Sequence, residues 1–218
     1  MADDADRTAL LSALTTEHFV LQTANSSTYA EASARSSLYV MALSSSLVAM
    51  GFLSSTKEAL VPFAATVLPA IFLLGLFTVV RLVDTSLESM HYLSGIARIR
   101  AVYRTLGADA ERHFARRLGR WPEVRSPAER LGTVLAFFGT TASMIAVLNN
   151  LVAGAVVALV VRLLDASLPG WVVAALGVAV AITLTALFYA YQRWRFADFD
   201  AISARDGDPA PAASRPAG

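Results

Sequence analysis

Glu88 and His91 stand three apart in the stretch ESMHYLSGIARIR. On a helix, residues at that spacing share a face, so a carboxylate and an imidazole can reach one metal ion. Helical di-metal centres need two such pairs and two further glutamates, all facing inward. This chain offers a single Glu-x-x-His, with Glu17, His18, Glu31 and Asp84 as recruits if their helices align. The plainer reading is a solvated glutamate beside a partly buried histidine, and it is preferred here.

A second candidate is basic. Nine arginines fall between 98 and 130, against Asp109, Glu111, Glu123 and Glu129, a net charge of about +5. Arg98, Arg100, Arg104, Arg116 and Arg117 are the candidate contacts for an anion. Arg forks grip phosphate well, so an anionic small molecule would suit them. Contact with anionic lipid head groups, each arginine contributing roughly 1 kcal/mol near the surface, is the favoured reading. No recognition motif or aromatic platform accompanies the charge, so nucleic acid is not expected.

A third candidate is the amide pair Asn149 and Asn150 within an apolar run. Amides in hydrocarbon need partners. They can line a polar pathway or hydrogen-bond across a helix interface. Asn150 belongs to a ridge of small residues, Ala142, Ala146, Asn150, Gly154 and Ala158, which favours packing. The chain has no cysteine, which removes thiolate sites and disulfides. A phosphate-binding glycine loop, a Gly-x-Ser-x-Gly elbow and a His-Glu-x-x-His pair are absent. No cofactor and no enzyme activity are expected.

The elements that must position these residues follow from hydropathy. Of 218 residues 56% are hydrophobic and only 16% charged, where soluble domains carry about 25% charged residues. Four runs lack charge: 36–56, 60–80, 131–161 and 168–192. About 20 helical residues cross a hydrocarbon core of roughly 30 Å, so each run can span a membrane. No span carries a charge in its interior, unlike most proton relays and ion-coupled carriers. The opening MADDADRTALL is acidic and lacks the apolar core of a cleaved signal peptide, so the first span is expected to act as a retained anchor.

Basic residues set the expected orientation. Sixteen fall before the first span, between spans two and three, and after span four; only Lys57 and Arg162 fall in the two short turns. Positive charge stays in the cytoplasm, which puts both termini and the central segment inside. Seventeen of the 18 basic residues are arginine and alanine is abundant, which suggests a GC-rich bacterium.

The fold expected is all-α: a four-helix integral membrane protein with cytoplasmic stem extensions. Residues 1–36 form a cytoplasmic helix and 37–83 a first hairpin. Residues 84–130 form an Arg-rich cytoplasmic segment, 131–192 a second hairpin, and 193–218 a largely disordered tail. In the first helix Leu10, Leu14, His18 and Leu21 recur at helical spacing, widened by Leu11 and Phe19. Ala24, Thr28, Ala32 and Ser36 follow four apart, a face another helix can approach closely. Ser55-Thr-Lys-Glu58 has capping-box form before span two, and Pro69 should kink that span. Tyr92, Ile96, Ile99, Tyr103 and Leu106 make a stripe that predicts an antiparallel pairing of the two stems. A short helix is expected over 109–118. Ser126-Pro127-Ala128-Glu129 reads as the start of span three, which would then exceed bilayer thickness.

Residues 10–106 resemble the two-span module of bacterial membrane effectors linked to nucleotide-signalling defence, the SLATT and Pycsar-effector type. The resemblance rests on the cytoplasmic helix, the small-residue entry AEASARSSLYV, the tight hairpin and a second span running into an Arg-rich stem. The whole chain also resembles uncharacterised actinobacterial integral membrane proteins. The resemblance implies a non-enzymatic membrane effector gated by its stem. The expected partners are the lipid bilayer and a second copy of the chain through its small-residue faces, with an anionic small molecule as a further candidate. A small channel built on uncharged polar residues of spans one and three, and a metal-dependent membrane enzyme at Glu88 and His91, are the alternatives.

Overall fold

The computed structural model describes residues 2–114 and 139–206. Of these, 92% are helical and none form strands, so the class is all-α. Helix α1 spans Ala2–Leu53, α2 Lys57–Arg104, α3 Ala108–His113, α4 Thr141–Leu164 and α5 Gly170–Asp206. The four long helices are each long and apolar enough to cross a membrane.

α1 runs unbroken for 52 residues because neither glycine nor proline occurs before Gly51. At 1.5 Å per residue it is about 78 Å long, and α2 about 72 Å, against a hydrocarbon core of roughly 30 Å. Each is therefore about 40–50 Å longer than a hydrocarbon core requires. The turn between them is three residues, Ser54 to Thr56. Thr56, not Ser55, is the N-cap, and it makes no side-chain cap bond. Turn bonds close the hairpin instead, with Thr56 N donating to Leu53 O at 2.9 Å. The capping box is therefore not formed. Pro62 and Pro69 both lie inside α2, which continues across them to Arg104.

The stems are antiparallel. Arg81 meets Glu31, Ser89 meets Asn25, Gly95 faces Leu21 and Tyr103 lies beside His18, so α2 numbers rise as α1 numbers fall. The seam is narrower than the sequence stripe suggested. Ile96 and Ile99 are buried, Tyr92 and Tyr103 half-buried, and Leu106 is exposed. Leu10 and Phe19 also point outward rather than widening the α1 stripe. Gly95 does what a side chain could not, because a Cβ there would stand 2.9 Å from Leu21 Cδ1.

Three boundaries differ from expectation. α3 ends at His113, with Phe114 extended. The third span starts at Thr141, where Thr140 Oγ1 accepts from Ser143 N at 3.2 Å. Thr140 caps this helix, and Gly139 precedes it. α4 therefore has 24 residues and matches a bilayer without excess. Finally, α5 continues past Gln192 to Asp206, so 193–206 is helix rather than disordered tail. Trp121, the Ser126-Pro127 signal and residues 207–218 lie outside the described residues.

α2 is the hub: α1 packs along one side and α4 along another, while α5 packs mainly on α4. The core joins Tyr39, Leu82, Val83, Ala142 and Ile145, all nearly sealed. The outward residues of the span regions, among them Met41, Phe52, Phe77 and Ile182, are large and apolar. That inverts the usual pattern of a water-soluble bundle and suits contact with lipid tails.

Candidate functional site

The polar side chains gather where the stems leave the bundle. Arg81 of α2 donates from Nε to Glu31 Oε1 at 2.8 Å, from Nη2 to Glu31 Oε2 at 3.0 Å, and from Nη1 to Glu88 Oε1 at 2.9 Å. Arg35 adds a bond to Glu31 Oε1 at 2.8 Å. Such forked contacts fix geometry as well as charge. They hold the Glu31 carboxyl down at about 2, first through the Arg81 bonds and then through Arg35. One turn further, Arg195 of α5 donates to Asp84 Oδ1 of α2 at 2.8 Å. Three helices are thus tied at one level by ions, although α2 and α5 otherwise barely touch.

Hydroxyls and amides continue the belt. Ser89 donates to Asn25 Oδ1 at 2.7 Å, and the buried Gln192 accepts from Ser143 at 3.2 Å. Asn150 Nδ2 donates to Thr185 Oγ1 at 3.1 Å across the α4–α5 contact. Deeper still, the fully buried Tyr39 donates to Asn149 Oδ1 at 3.4 Å. Gly75 makes that contact possible. A Cβ at Gly75 would overlap the Asn149 amide and stand 2.7 Å from Tyr39 Cε2. The amide therefore joins the first hairpin to the second over a missing side chain.

The small ridge of α4 is occupied within the chain. Ala142, Ala146 and Asn150 are buried, and Gly154 packs against the Gly177 backbone of α5, with Ala158 Cβ beside it. Much of this face is therefore taken by contacts within the chain.

The stem arginines separate. Arg98 is exposed, while Arg100 lies with its guanidinium 5.6 Å over the Phe114 ring. Arg104, one turn on, is half-buried. Tyr103 packs on Phe114 at 5.3 Å and His18 at 6.3 Å, forming an aromatic stem tip. Burial, and then the charge of Arg100, lower the His18 pKa below its ordinary 6.5. Arg116 and Arg117 lie outside the described residues.

Glu88 and His91 are turned to different surroundings. Arg81 holds the Glu88 carboxylate, and His91 is exposed with its ring against Tyr92. Among the described residues no group of three or more His, Cys, Asp or Glu could hold a metal. The span-one serines do not converge on a pore either: Ser44 and Ser45 face outward, and Ser46 donates back to Ala42 O.

Sequence reasoning missed the ion belt and the Tyr39–Gly75–Asn149 junction. The spacing of Arg81, Asp84 and Glu88 on one helix was a signal for the first. Nothing local announced the second. No family model, curated protein or solved structure matches the chain.

Proposed function

We propose that this is a non-enzymatic, multi-pass protein of a bacterial cytoplasmic membrane, with both termini and the stem in the cytoplasm. It couples an event at the stem to the membrane bundle, as an effector-type protein would. The observation carrying this reading is continuity: each stem helix is one rod with a span, and ion pairs tie the rods to the second hairpin at the stem's root. A displacement of the tip therefore reaches the bundle through backbone hydrogen bonds, not through a flexible linker.

The same continuity redefines the arginines. Arg98 lies 17 residues beyond Arg81 on an unbroken helix, about 25 Å farther from the membrane. The interfacial layer on each side is only about 5–8 Å thick. Arg98, Arg100 and Arg104 thus meet an anionic cytoplasmic ligand or partner, and the head-group role is not theirs. Substituting all three by glutamine should leave binding to anionic liposomes unchanged; a loss of that binding would return the head-group reading.

Topology is directly testable because the chain is free of cysteine. Single cysteines at Ser55 and Ala166 should react with an impermeant thiol reagent added outside intact cells. One at Ser12 should react only after permeabilisation. The reverse pattern refutes the orientation.

A further inference from the structure

Between α2 and α5 a cleft of about 250 Å³ opens sideways, floored by α4. Its walls are apolar, with Phe72, Leu76, Val79 and Val80 on one side and Leu184, Leu187 and Phe188 on the other. The floor is Asn149 and Asn150, and Tyr191 stands at the rim with its ring against Trp194. No charged residue lines it. The cleft exists because α2 and α5 meet mainly through the Asp84–Arg195 pair at its inner end.

Asn149 is 97% buried, being only 3% exposed. Its oxygen accepts from Tyr39, but its amide nitrogen has no hydrogen-bond partner among the described residues. That nitrogen is not sealed off, so it faces the cleft that Asn149 lines and can donate to an occupant. Asn150 gives its nitrogen to Thr185, and its oxygen has no hydrogen-bond partner among the described residues. The floor therefore offers one free donor and one free acceptor.

We infer that this cleft binds a neutral, bilayer-dissolved molecule with an apolar body and a hydrogen-bond-accepting carbonyl, the chemistry an isoprenoid quinone presents. Neutrality follows from the uncharged lining. Size follows from the volume: a dry cavity of about 150 Å³ holds benzene, so this one takes a substituted ring and leaves a tail in the lipid. Depth separates the two sources of a membrane carbonyl. Asn149 lies about 5 Å from the midpoint of α4, whereas glycerolipid esters lie at the edge of the core, about 15 Å from its middle. A dissolved carbonyl compound reaches the amide and an ester does not. The inference rests on the membrane reading above, and quantitative recovery of the protein in lipid nanodiscs reports on that reading separately.

The test uses the full chain in nanodiscs, with decyl-benzoquinone and decylbenzene as probes and tryptophan quenching at Trp194 and thermal stabilisation as readouts. Decyl-benzoquinone should bind saturably and decylbenzene at least tenfold more weakly. N149L should lose that preference, and L184F, which narrows the cleft without adding a tryptophan, should abolish binding while folding normally; L184W, read by thermal stabilisation alone, should do the same. Affinity should be equal in ether-linked and ester-linked lipid. Equal affinity for both probes, no saturable binding, retained binding in L184F or L184W, or binding seen only in ether-linked lipid each overturns the proposal.

Discussion

Gly177→Ala tests the close backbone contact between α4 and α5. A Cβ on Gly177 would stand 2.7 Å from Gly154 O and 3.3 Å from Ala158 Cβ, where ordinary contact begins near 3.4 Å. Because the obstacle is backbone, α4 and α5 must part by about 0.7 Å to accept the methyl group. A gap of that size forfeits a quarter to a half of each facing atom pair's attraction, itself about 0.1–0.2 kcal/mol. Over roughly 30 facing pairs the loss is about 1–2 kcal/mol, within the usual range for overpacking. Alanine also gains about 0.5–1 kcal/mol of helix preference over glycine, which would mask part of that loss. Gly51→Ala supplies the control, since nothing lies within 4 Å of its Cβ position. The assay is unfolding in mixed micelles followed by far-ultraviolet circular dichroism. Gly177→Ala should fall about 1–2 kcal/mol below the Gly51→Ala control. Adding Gly154→Ala should cost less than its single effect, because the helices are already apart. If Gly177→Ala matches the control, the two helices do not cross there and the reasoning fails.

Gly75→Ala should destabilise by about 1–3 kcal/mol by driving a methyl into the Asn149–Tyr39 contact, and Tyr39→Phe should relieve little of it. Asp84→Asn and Arg195→Gln should each weaken the α2–α5 tie; a double-mutant cycle should give about 1 kcal/mol or less, since both side chains are a third exposed. Glu31 is held down to about 2 from 4.5, so its ion pairs stabilise the stem root above pH 4.5 and lose that effect as pH falls towards 2. Glu31→Gln should flatten the acid limb of a stability–pH curve over that window. His18 is also lowered, so the stem tip favours the neutral ring and should loosen as pH drops below 6.5, an effect that His18→Gln removes in hydrogen-exchange measurements.

Much of the architecture was legible because hydropathy is local. Each of the four uncharged runs contributes to a helix long and apolar enough to cross a membrane, the form a backbone takes where lipid offers it no other hydrogen-bond partner. The absence of glycine and proline before Gly51 dictated one rod, and the falling-and-rising contacts of α1 and α2 follow from a three-residue turn. Boundaries were less legible: α4 begins at Thr141 behind a threonine cap, a local signal that a long apolar run hides.

The sequence by itself determined the number of apolar rods and the uneven placement of arginine, because hydropathy and charge are properties of consecutive residues. Only the tertiary structure decided what the polar residues do. Glu88 became an ion-pair partner of Arg81, and Gly154 met Gly177 across the α4–α5 contact. The Asn149 amide came to bridge two hairpins over Gly75. Those outcomes depend on how helices rotate and cross, set by packing between residues far apart in the chain, and no local spacing encodes them.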